Sequence, residues 1–343
     1  MSKNKRIIAG VAGRSGGHII PCITHLAASS PSENQDDIML FSTTTDLDRS
    51  LLALYPQITY VPLTLDPFPG KKLLRYPAFF IQCIRAFIRS YKTLRSKKVE
   101  WLVSTGGYIA LPVCAAARML GIPIEGYELN AVPGKALLWL APYTSTLHVC
   151  FEEAALFFKP YPCQKAEYPL RFTSKDLISK KEGLDHYELD PHKKTLLVVG
   201  GSQGSQSINE LVITFIKNHP GLTSKIQLLH QAGGNKSAAL RSFYHEAGVA
   251  ACVFDYEHTL QYAYAAADYV IARAGAGTLF ELEFFHKKTL LIPLETSSTM
   301  HQVENAQAFV KKNSDYFSMV RQKEVVQHPD LLAQKIIQEL ELL

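Results

Sequence analysis

The stretch from Ala272 to Glu281 combines closely spaced glycines with a single carboxylate. It follows an apolar run at 269–271 and precedes a helical pattern, so it is predicted to lead from a strand through a tight turn into a helix. Gly275 and Gly277 let backbone amides approach a ligand, and the first-turn amides of a helix carry a partial positive charge. The pattern therefore predicts an anion site, beside which Glu281 can accept two hydrogen bonds from a vicinal diol such as that of ribose. A nucleotide diphosphate sugar needs both features; the alternative is that the glycines only shape a turn and Glu281 is a solvated first-turn acid.

A second glycine-rich loop runs from Gly13 to His18, between a predicted strand at 7–12 and a helix predicted over 19–28 with Pro21 in its first turn. The amides of such a loop suit phosphates, and His18 adds a side chain of a type that exchanges protons near neutral pH. The glycine spacing departs from the G-x-G-x-x-G pattern of dinucleotide-binding folds, which disfavours a nicotinamide cofactor. The acids at 46 and 48 follow three threonines and are interpreted as first-turn acids of a helix, so no metal is implied.

Length and composition indicate a globular protein of about two domains. The chain has 343 residues, of which 47% are hydrophobic and 20% charged, and its formal net charge is +5. That charge is too small to indicate a nucleic-acid-binding protein. The six cysteines lie far apart, without the spacing of a metal site, and are predicted to be buried thiols. The basic start lacks a secretory apolar region, and no window reaches the roughly 18 apolar residues of a membrane span, so a soluble or peripheral protein is expected.

The two halves of the chain repeat one arrangement of strands and loops. Strands that end in polar or glycine-rich loops are predicted at 7–12, 101–104, 125–130, 195–199, 269–271 and 290–294. Loops at strand carboxyl ends form the ligand edge of an open α/β sheet. Because the Pro-rich stretch 159–169 separates the halves, we predict one domain over 1–165 and another over 166–343. Both are expected to be Rossmann-like α/β domains with parallel sheets, facing each other across a cleft.

The segment 71–98 is basic and aromatic. It contains nine Lys or Arg side chains and no acid. Pro77 marks a helix start, and a stripe of apolar residues is interpreted as facing the core: Phe80, Ile84, Phe87, Ile88, Tyr91 and Leu94. At about 1 kcal/mol per basic residue near an anionic leaflet, even half of these charges would hold the protein at a membrane surface. The segment is therefore predicted to attach the protein peripherally to an anionic membrane.

Five motifs in order and spacing resemble those of the MurG family. The family consists of GT-B glycosyltransferases that move N-acetylglucosamine from its UDP donor to undecaprenyl-linked muramyl pentapeptide, converting lipid I to lipid II. The motifs span nearly the whole chain: Ala12 to His18 with Pro21; Gly106, Gly107 and Tyr108; Glu128 and Asn130; Gly200 to Gly204; and Arg273 to Glu281 with Gln302 and Asn305.

The resemblance implies an inverting hexosyltransferase of peptidoglycan synthesis, and with it cell shape and division. It implies no cofactor, no metal and no nucleic acid. The implied partners are UDP-N-acetylglucosamine, undecaprenyl-pyrophosphoryl-N-acetylmuramyl-pentapeptide and the membrane, at the cytoplasmic face of the bacterial inner membrane. The first domain would meet the acceptor and membrane, and the second would bind the UDP-sugar.

Residue roles follow from the same resemblance. His18 would be the catalytic base for the acceptor C4 hydroxyl, and Glu281 would bind the ribose hydroxyls. Ser202 and Arg171 would face the diphosphate, while Gln302 and Asn130 would position the sugar. The full set of implied substrate contacts is Ser15, Gly16, Gly17, Asn130, Arg171, Ser202, Ala276, Gly277, Thr278, Leu279, Phe280, Glu281 and Gln302.

The chain departs from the family pattern at several positions. Arg14 replaces a glycine, Tyr127 and Leu129 replace the His and Gln of an H-E-Q-N block, and Glu257 stands near a usually apolar residue beside the uracil. Tyr168-Pro169-Leu170-Arg171 replaces an N-P-x-R block. The stretch after Asp330 is shorter than the family's helical region that returns to the first domain, which is expected to loosen the domains.

Three other hypotheses are compatible with these residues. The first is a GT-B enzyme with another lipid acceptor, and the second is a UDP-sugar epimerase of similar architecture. The third, motivated by the departures at Arg14, Tyr127 and Leu129, is a non-catalytic scaffold that binds the membrane and partner proteins.

Overall fold

A computed structural model of the protein describes residues 6–13, 15–30, 37–201, 204–234, 236–296 and 301–342. The chain divides into two compact units, Met1–Arg171 and Phe172–Leu343. The boundary between them follows Arg171, and the sequence-based prediction placed it after residue 165.

The first unit is built on a seven-stranded sheet in the order β3-β2-β1-β4-β5-β6-β7, in which neighbouring strands are parallel. The strands are β1 (Ile7–Val11), β2 (Asp37–Thr43), β3 (Thr59–Leu63), β4 (Trp101–Ser104), β5 (Ile124–Glu128), β6 (Thr146–Val149) and β7 (Gln164–Lys165). The helices are α1 (Gly16–Ser29), α2 (Asp46–Leu52), α3 (Tyr76–Lys97), α4 (Ala110–Met119) and α5 (Lys135–Leu140).

Two cores cover the two faces of this sheet, because successive strand residues point to opposite sides. On one face Ile8 packs in a cluster with Ile19 and Leu26 of α1. On the other face Ala9 belongs to a cluster with Val113 of α4 and Leu94 of α3. The first strand is therefore buried on both sides, as its continuous apolar sequence predicts.

The second unit is built on a six-stranded sheet in the order β10-β9-β8-β11-β12-β13, again with parallel neighbours. Its strands are β8 (Lys194–Val199), β9 (Ile226–Gln231), β10 (Ala250–Phe254), β11 (Tyr269–Ala272), β12 (Thr289–Leu291) and β13 (Phe317–Met319). Its helices are α6 (Lys180–His186), α7 (Gln206–Asn218), α8 (Ser237–Glu246), α9 (Leu260–Ala266), α10 (Ala276–Phe284), α11 (His301–Lys312), α12 (Gln322–Gln327) and α13 (Asp330–Glu339). The predicted pair of parallel α/β domains is confirmed.

The first helix begins earlier than the sequence predicts. Its first residue is Gly16, since the carbonyl of Ser15 accepts hydrogen bonds from the amides of His18 and Ile19. The prediction of Pro21 in the first turn is therefore wrong, and Pro21 lies inside the helix. Because proline has no backbone N–H, Pro21 cannot donate a backbone hydrogen bond to the residue four positions earlier in α1.

The apolar stripe of α3 is only partly a core stripe. Leu94 is buried, and Phe87 and Tyr91 pack partly against the core. In contrast, Phe80 and Ile84 are 57% and 58% exposed. Helix α3 packs against α4, and its buried residues are Ala86, Ser90 and Leu94, so the contact face is narrower than the stripe. The prediction of a fully core-facing stripe is wrong for its N-terminal half.

Candidate functional site

The motif loops lie at the points where each sheet reverses its strand order. In the first sheet β1 lies between β2 and β4, and in the second sheet β8 lies between β9 and β11. Open α/β sheets bind ligands at the carboxyl ends of strands at such switch points. Each unit therefore presents one candidate half-site.

His18 is held across the switch point of the first unit. Its Nδ1 lies 2.8 Å from the carbonyl oxygen of Thr105, the residue that follows β4, and the Thr105 hydroxyl donates to the His18 carbonyl at 3.2 Å. A carbonyl oxygen only accepts, so Nδ1 carries the hydrogen. In the neutral ring Nε2 then carries the lone pair, which is the arrangement a general base needs.

The predicted phosphate loop surrounds this histidine. Ser15 is the N-cap residue of α1 with an extended backbone, and its hydroxyl does not cap the helix. Gly17 is exposed in the first turn and Gly16 is buried. Beside them, Gly106 and Gly107 have φ of +89° and +80°, a conformation that favours glycine. Arg14 lies outside the described residues.

Buried Glu128 shapes the loop that carries Asn130. Its Oε1 accepts hydrogen bonds from the backbone and side-chain nitrogens of Asn130 at 2.9 and 3.2 Å, and its Oε2 accepts from the amide of Gly134 at 3.0 Å. Burial raises the pKa of Glu128 to about 7, and the hydrogen bonds from Asn130 and Gly134 oppose that rise. Asn130 is thus oriented by a residue that the sequence-based site did not include. Arg171, also predicted, is half-buried at the end of this unit.

In the second unit the predicted donor block forms the end of β11 and the start of α10. Gly275 is the N-cap and has no side chain to cover the first-turn amides of Ala276, Gly277 and Thr278. Leu279 is buried and Phe280 is half-buried against Phe309, with ring centroids 5.0 Å apart. The predicted order of strand, turn and helix start is therefore confirmed, and anion binding at the N-terminus of α10 stays a prediction.

Glu281 is oriented by a tyrosine that the sequence-based reasoning missed. The hydroxyl of Tyr264 donates to Oε2 of Glu281 at 2.8 Å. Tyr264 is fully buried and packs against Phe172 and Phe285. Because this hydrogen bond fixes one oxygen, it sets the orientation of the whole half-buried carboxylate of Glu281.

The glycine loop after β8 approaches its neighbours too closely for a side chain. A Cβ on Gly204, whose φ is +68°, would lie 2.1 Å from the carbonyl oxygen of Ala232. A Cβ on Gly200 would lie 2.4 Å from the amide nitrogen of Ser205. These glycines are therefore structurally required where the backbone turns from β8 into α7. Predicted Ser202 lies outside the described residues.

Arg273 is a buried cation that joins three loops at this edge. Its Nη2 donates to the hydroxyls of Ser205 and Ser207 at 2.7 and 2.6 Å, and its Nη1 donates to the carbonyl of Ile292 at 2.8 Å. Burial lowers its pKa to about 10, so it stays charged at neutral pH. Arg273 places a positive charge beside the N-terminus of α7. The feature of the sequence that indicates this residue is its position directly after the buried strand β11.

The remaining predicted residues lie on α11. The side-chain oxygen of Gln302 accepts from the amide of Leu294 at 3.0 Å, which leaves the NH₂ group of Gln302 as the donating end. Buried Asn305 donates to the carbonyl of Ala274 at 3.3 Å and so supports the turn before α10.

Glu257 contributes to the start of α9. One of its carboxylate oxygens accepts from the amide and hydroxyl of Thr259 at 2.8 and 2.7 Å. Burial raises its pKa, but hydrogen bonds from Thr259 outweigh this and lower it overall. These hydrogen bonds fix the turn that leads into α9, which accounts for an acid at this position.

Within the described ranges, no cluster of three or more His, Cys, Asp or Glu side chains is arranged to hold a metal ion. Among the helices of the described residues, none has both the length and the hydropathy needed to cross a bilayer.

Comparison with known proteins identifies the family. Residues 8–149 match the glycosyltransferase family 28 N-terminal domain, and residues 195–341 match its C-terminal domain. A UDP-N-acetylglucosamine--N-acetylmuramyl-(pentapeptide) pyrophosphoryl-undecaprenol N-acetylglucosamine transferase from Halothermothrix orenii is 31% identical over 316 residues, covering 87% of this chain and 82% of that protein. The chain belongs to the MurG family.

Two further similarities agree with MurG membership. The Protochlamydia amoebophila protein of the same description is 34% identical over 310 residues, covering 87% of this chain and 79% of that protein. The crystal structure of Acinetobacter baumannii MurG superposes with a TM-score of 0.71 at 23% identity, covering 98% of this chain and 91% of that chain, and this likeness concerns the fold. The protein is accordingly a glycosyltransferase, and the substrate contacts of its site residues stay predictions.

Proposed function

We propose that this protein transfers N-acetylglucosamine from UDP-N-acetylglucosamine to undecaprenyl-pyrophosphoryl-N-acetylmuramyl-pentapeptide, converting lipid I to lipid II. The observation that carries the proposal is the placement of the motif residues at both switch points. One half-site holds a histidine in a base-competent tautomer, and the other holds a helix N-terminus followed by an oriented carboxylate. The descriptions of the curated relatives name the same donor and acceptor.

His18 acts as the general base. The acceptor C4 hydroxyl attacks C1 of the donor sugar, Nε2 of His18 takes the hydroxyl proton, and the bond from C1 to the UDP oxygen breaks. Attack opposite to the leaving group inverts the configuration at C1. The hydrogen bond between Nδ1 and the Thr105 carbonyl fixes the tautomer and stabilises the imidazolium that forms.

The donor half-site meets the charge of the leaving group. The first-turn amides of α10 face the UDP phosphates, Arg171 and Ser202 add donors, and developing charge is stabilised without a metal. Glu281 accepts from the ribose hydroxyls, while the NH₂ group of Gln302 and the Asn130 side chain hold the sugar. Ser15, Gly16 and Gly17 are further proposed contacts of the donor.

The exposed face of α3 attaches the first unit to the cytoplasmic leaflet of the inner membrane. Besides Phe80 and Ile84, its apolar side chains at Ile81 and Ile88 are 49% and 45% exposed, and Leu74 just before it is 98% exposed. A groove of about 640 Å³ on the helix is lined by apolar and basic side chains together: Phe87, Ile88, Tyr91, Lys92, Arg95 and Ser96. Apolar side chains beside basic ones fit an anionic lipid surface, where the acceptor resides.

The test is to incubate purified protein with UDP-N-acetylglucosamine and lipid-linked muramyl pentapeptide in detergent, with and without EDTA, and to identify products by mass spectrometry. The proposal expects one added N-acetylhexosamine on the acceptor, formed with and without EDTA.

Other products separate the alternative hypotheses. Conversion of the donor to an epimer without acceptor would show a UDP-sugar epimerase. Donor binding without transfer to this acceptor would indicate a different lipid acceptor, and absence of donor binding would favour the scaffold.

A further inference from the structure

A cluster of titratable side chains joins α1, β5 and β6 in the first unit. Oε1 of Glu125 lies 2.8 Å from Nε2 of His148 and 3.2 Å from Nε2 of His25. All three side chains are largely buried, with Glu125 only 15% exposed. Burial raises the pKa of Glu125, but its close contacts with His148 and His25 outweigh this and lower it to about 2. Glu125 is therefore a carboxylate at working pH, and both imidazoles are held against it.

Tyr127 lies against both histidines of this cluster. Its ring stacks on His148, with centroids 5.1 Å apart and planes at 29°, and its centroid lies 4.7 Å from that of His25. The Tyr127 side chain is nearly fully buried, and its hydroxyl donates to the carbonyl of Glu167 at 3.0 Å. The ring is thus fixed by the cluster, and the hydroxyl is fixed by the chain that follows β7.

Tyr127 lies close in the chain, or through its hydroxyl, to two predicted donor-binding residues, Asn130 and Arg171. On β5, Tyr127 directly precedes Glu128, whose carboxylate holds the amides of Asn130 and Gly134. On the other side, Glu167 lies four residues before Arg171. A single side chain therefore connects the loop that carries Asn130 with the segment that carries Arg171.

We propose that Tyr127, held by the cluster of His25, Glu125 and His148, is a positioning residue that fixes the 128–134 loop and the 167–171 segment in one arrangement. Tyr127 stands where the family has a histidine, and its side chain contacts His25 on α1, His148 on β6 and the carbonyl of Glu167 after β7. The effect on transfer rests on the proposed function, because Asn130 and Arg171 matter to catalysis only if this chain binds the sugar nucleotide.

The test compares three variants. Tyr127→Phe keeps the stacked ring and removes only the hydrogen bond to Glu167, and Glu125→Gln keeps the shape of the cluster and removes its negative charge. Tyr60→Phe is the matched control, since the Tyr60 hydroxyl also donates from a strand of this unit to a backbone carbonyl, that of Thr43, at 2.6 Å. Amide hydrogen exchange of 128–134 and 167–171 is measured first, and kinetics with UDP-N-acetylglucosamine second.

The expected result is that exchange in both segments becomes about five to ten times faster in Tyr127→Phe, the order expected for losing one hydrogen bond. Exchange should also become faster in Glu125→Gln, because the histidines that hold the Tyr127 ring lose their charged partner, and it should stay unchanged in Tyr60→Phe. The ratio kcat/KM for the donor should fall by a similar factor. Unchanged exchange in Tyr127→Phe, or an equal change in Tyr60→Phe, overturns the positioning role whatever the activity. If exchange responds as expected but the wild type transfers no sugar, the positioning role stands and the proposed function fails.

Discussion

Hydrogen bonds from buried or backbone groups orient the predicted site side chains of both half-sites. Thr105 fixes the tautomer of His18, Tyr264 fixes one oxygen of Glu281, and Leu294 fixes the amide orientation of Gln302. Each supporting group is either a buried side chain or a backbone group. The reactive residues are thereby held in one geometry before a ligand arrives, which lowers the ordering cost of binding.

Removing the Tyr264 hydroxyl should weaken donor binding more than turnover. In Tyr264→Phe the ring packing is kept, but Glu281 loses the bond that orients its carboxylate. Because contacts to the ribose are the same in the ground and transition states, we expect KM for UDP-N-acetylglucosamine to rise about fivefold with little change in kcat. The matched control is Tyr262→Phe on the same helix, whose ring stacks on His186. Equal KM values for the two variants would contradict the role of Tyr264.

Glu128 should make stability depend on pH in an unusual direction. Its pKa in the folded protein is raised by burial from 4.5 to about 7, so between these values the folded protein binds its proton more tightly than the unfolded chain does. Its contribution to the free energy of unfolding should therefore be complete below about pH 4.5 and be lost as the pH rises to about 7, by roughly 3 kcal/mol in all.

Urea titrations at several pH values check this prediction. The side chain in Glu128→Gln cannot ionise. Between pH 4.5 and 7 the free energy of unfolding of the wild type should therefore fall relative to that of the variant, and above pH 7 the difference between the two should stay constant. A difference that is constant across this range would contradict a raised pKa.

At the scale of elements, segments with a continuous apolar run or a clear period could be predicted from the sequence, and short segments without either could not. Strand β4 and the long helix α3 follow directly from apolar runs and proline placement. The two-residue strand β7 and the three-residue strand β13 are too short to show a period. Their place in the sheets is set by tertiary pairing with β6 and β12.

The candidate site was predictable to the same extent. The motif loops predicted His18, Asn130 and Glu281 as site residues. The hydrogen bond from Tyr264 to Glu281 could not be predicted, because it joins side chains 17 positions apart on different helices. Glu128 was predicted as a motif residue, but its hydrogen bonds with Asn130 and Gly134 were not. The exposed half of the α3 stripe was missed for a related reason, because periodicity shows which residues share a face but not what covers that face.

The exposed face of α3 should control membrane binding. Serine at Phe80, Ile84 and Ile88 together removes apolar area without changing charge, so binding to vesicles of phosphatidylglycerol and phosphatidylethanolamine should weaken at least about tenfold. Serine at exposed Val326 and Leu331 of the second unit is the control. Vesicle sedimentation measures both; equal binding of the two variants would show that α3 is not the attachment surface.

At the scale of the whole molecule, the two units share the same arrangement of sheet, loop and helix. Each unit is a parallel sheet whose switch point carries a glycine loop and a helix N-terminus, and the side chains placed there differ. In the proposed mechanism the first unit supplies the base, and the second supplies the anion site with an oriented carboxylate. This division of roles is the contribution to glycosyl transfer that we propose for the fold.

The most direct test of this division is the initial rate of N-acetylglucosamine transfer to the lipid-linked acceptor over a range of donor concentrations, for wild type, His18→Ala and Glu281→Gln. The predicted result is that His18→Ala binds UDP-N-acetylglucosamine as the wild type does but loses about 10²–10⁴ in kcat, as expected for a lost general base. Glu281→Gln should instead raise the donor KM by about tenfold with a smaller change in kcat. Wild-type turnover in His18→Ala, or an unchanged donor KM in Glu281→Gln, would contradict it.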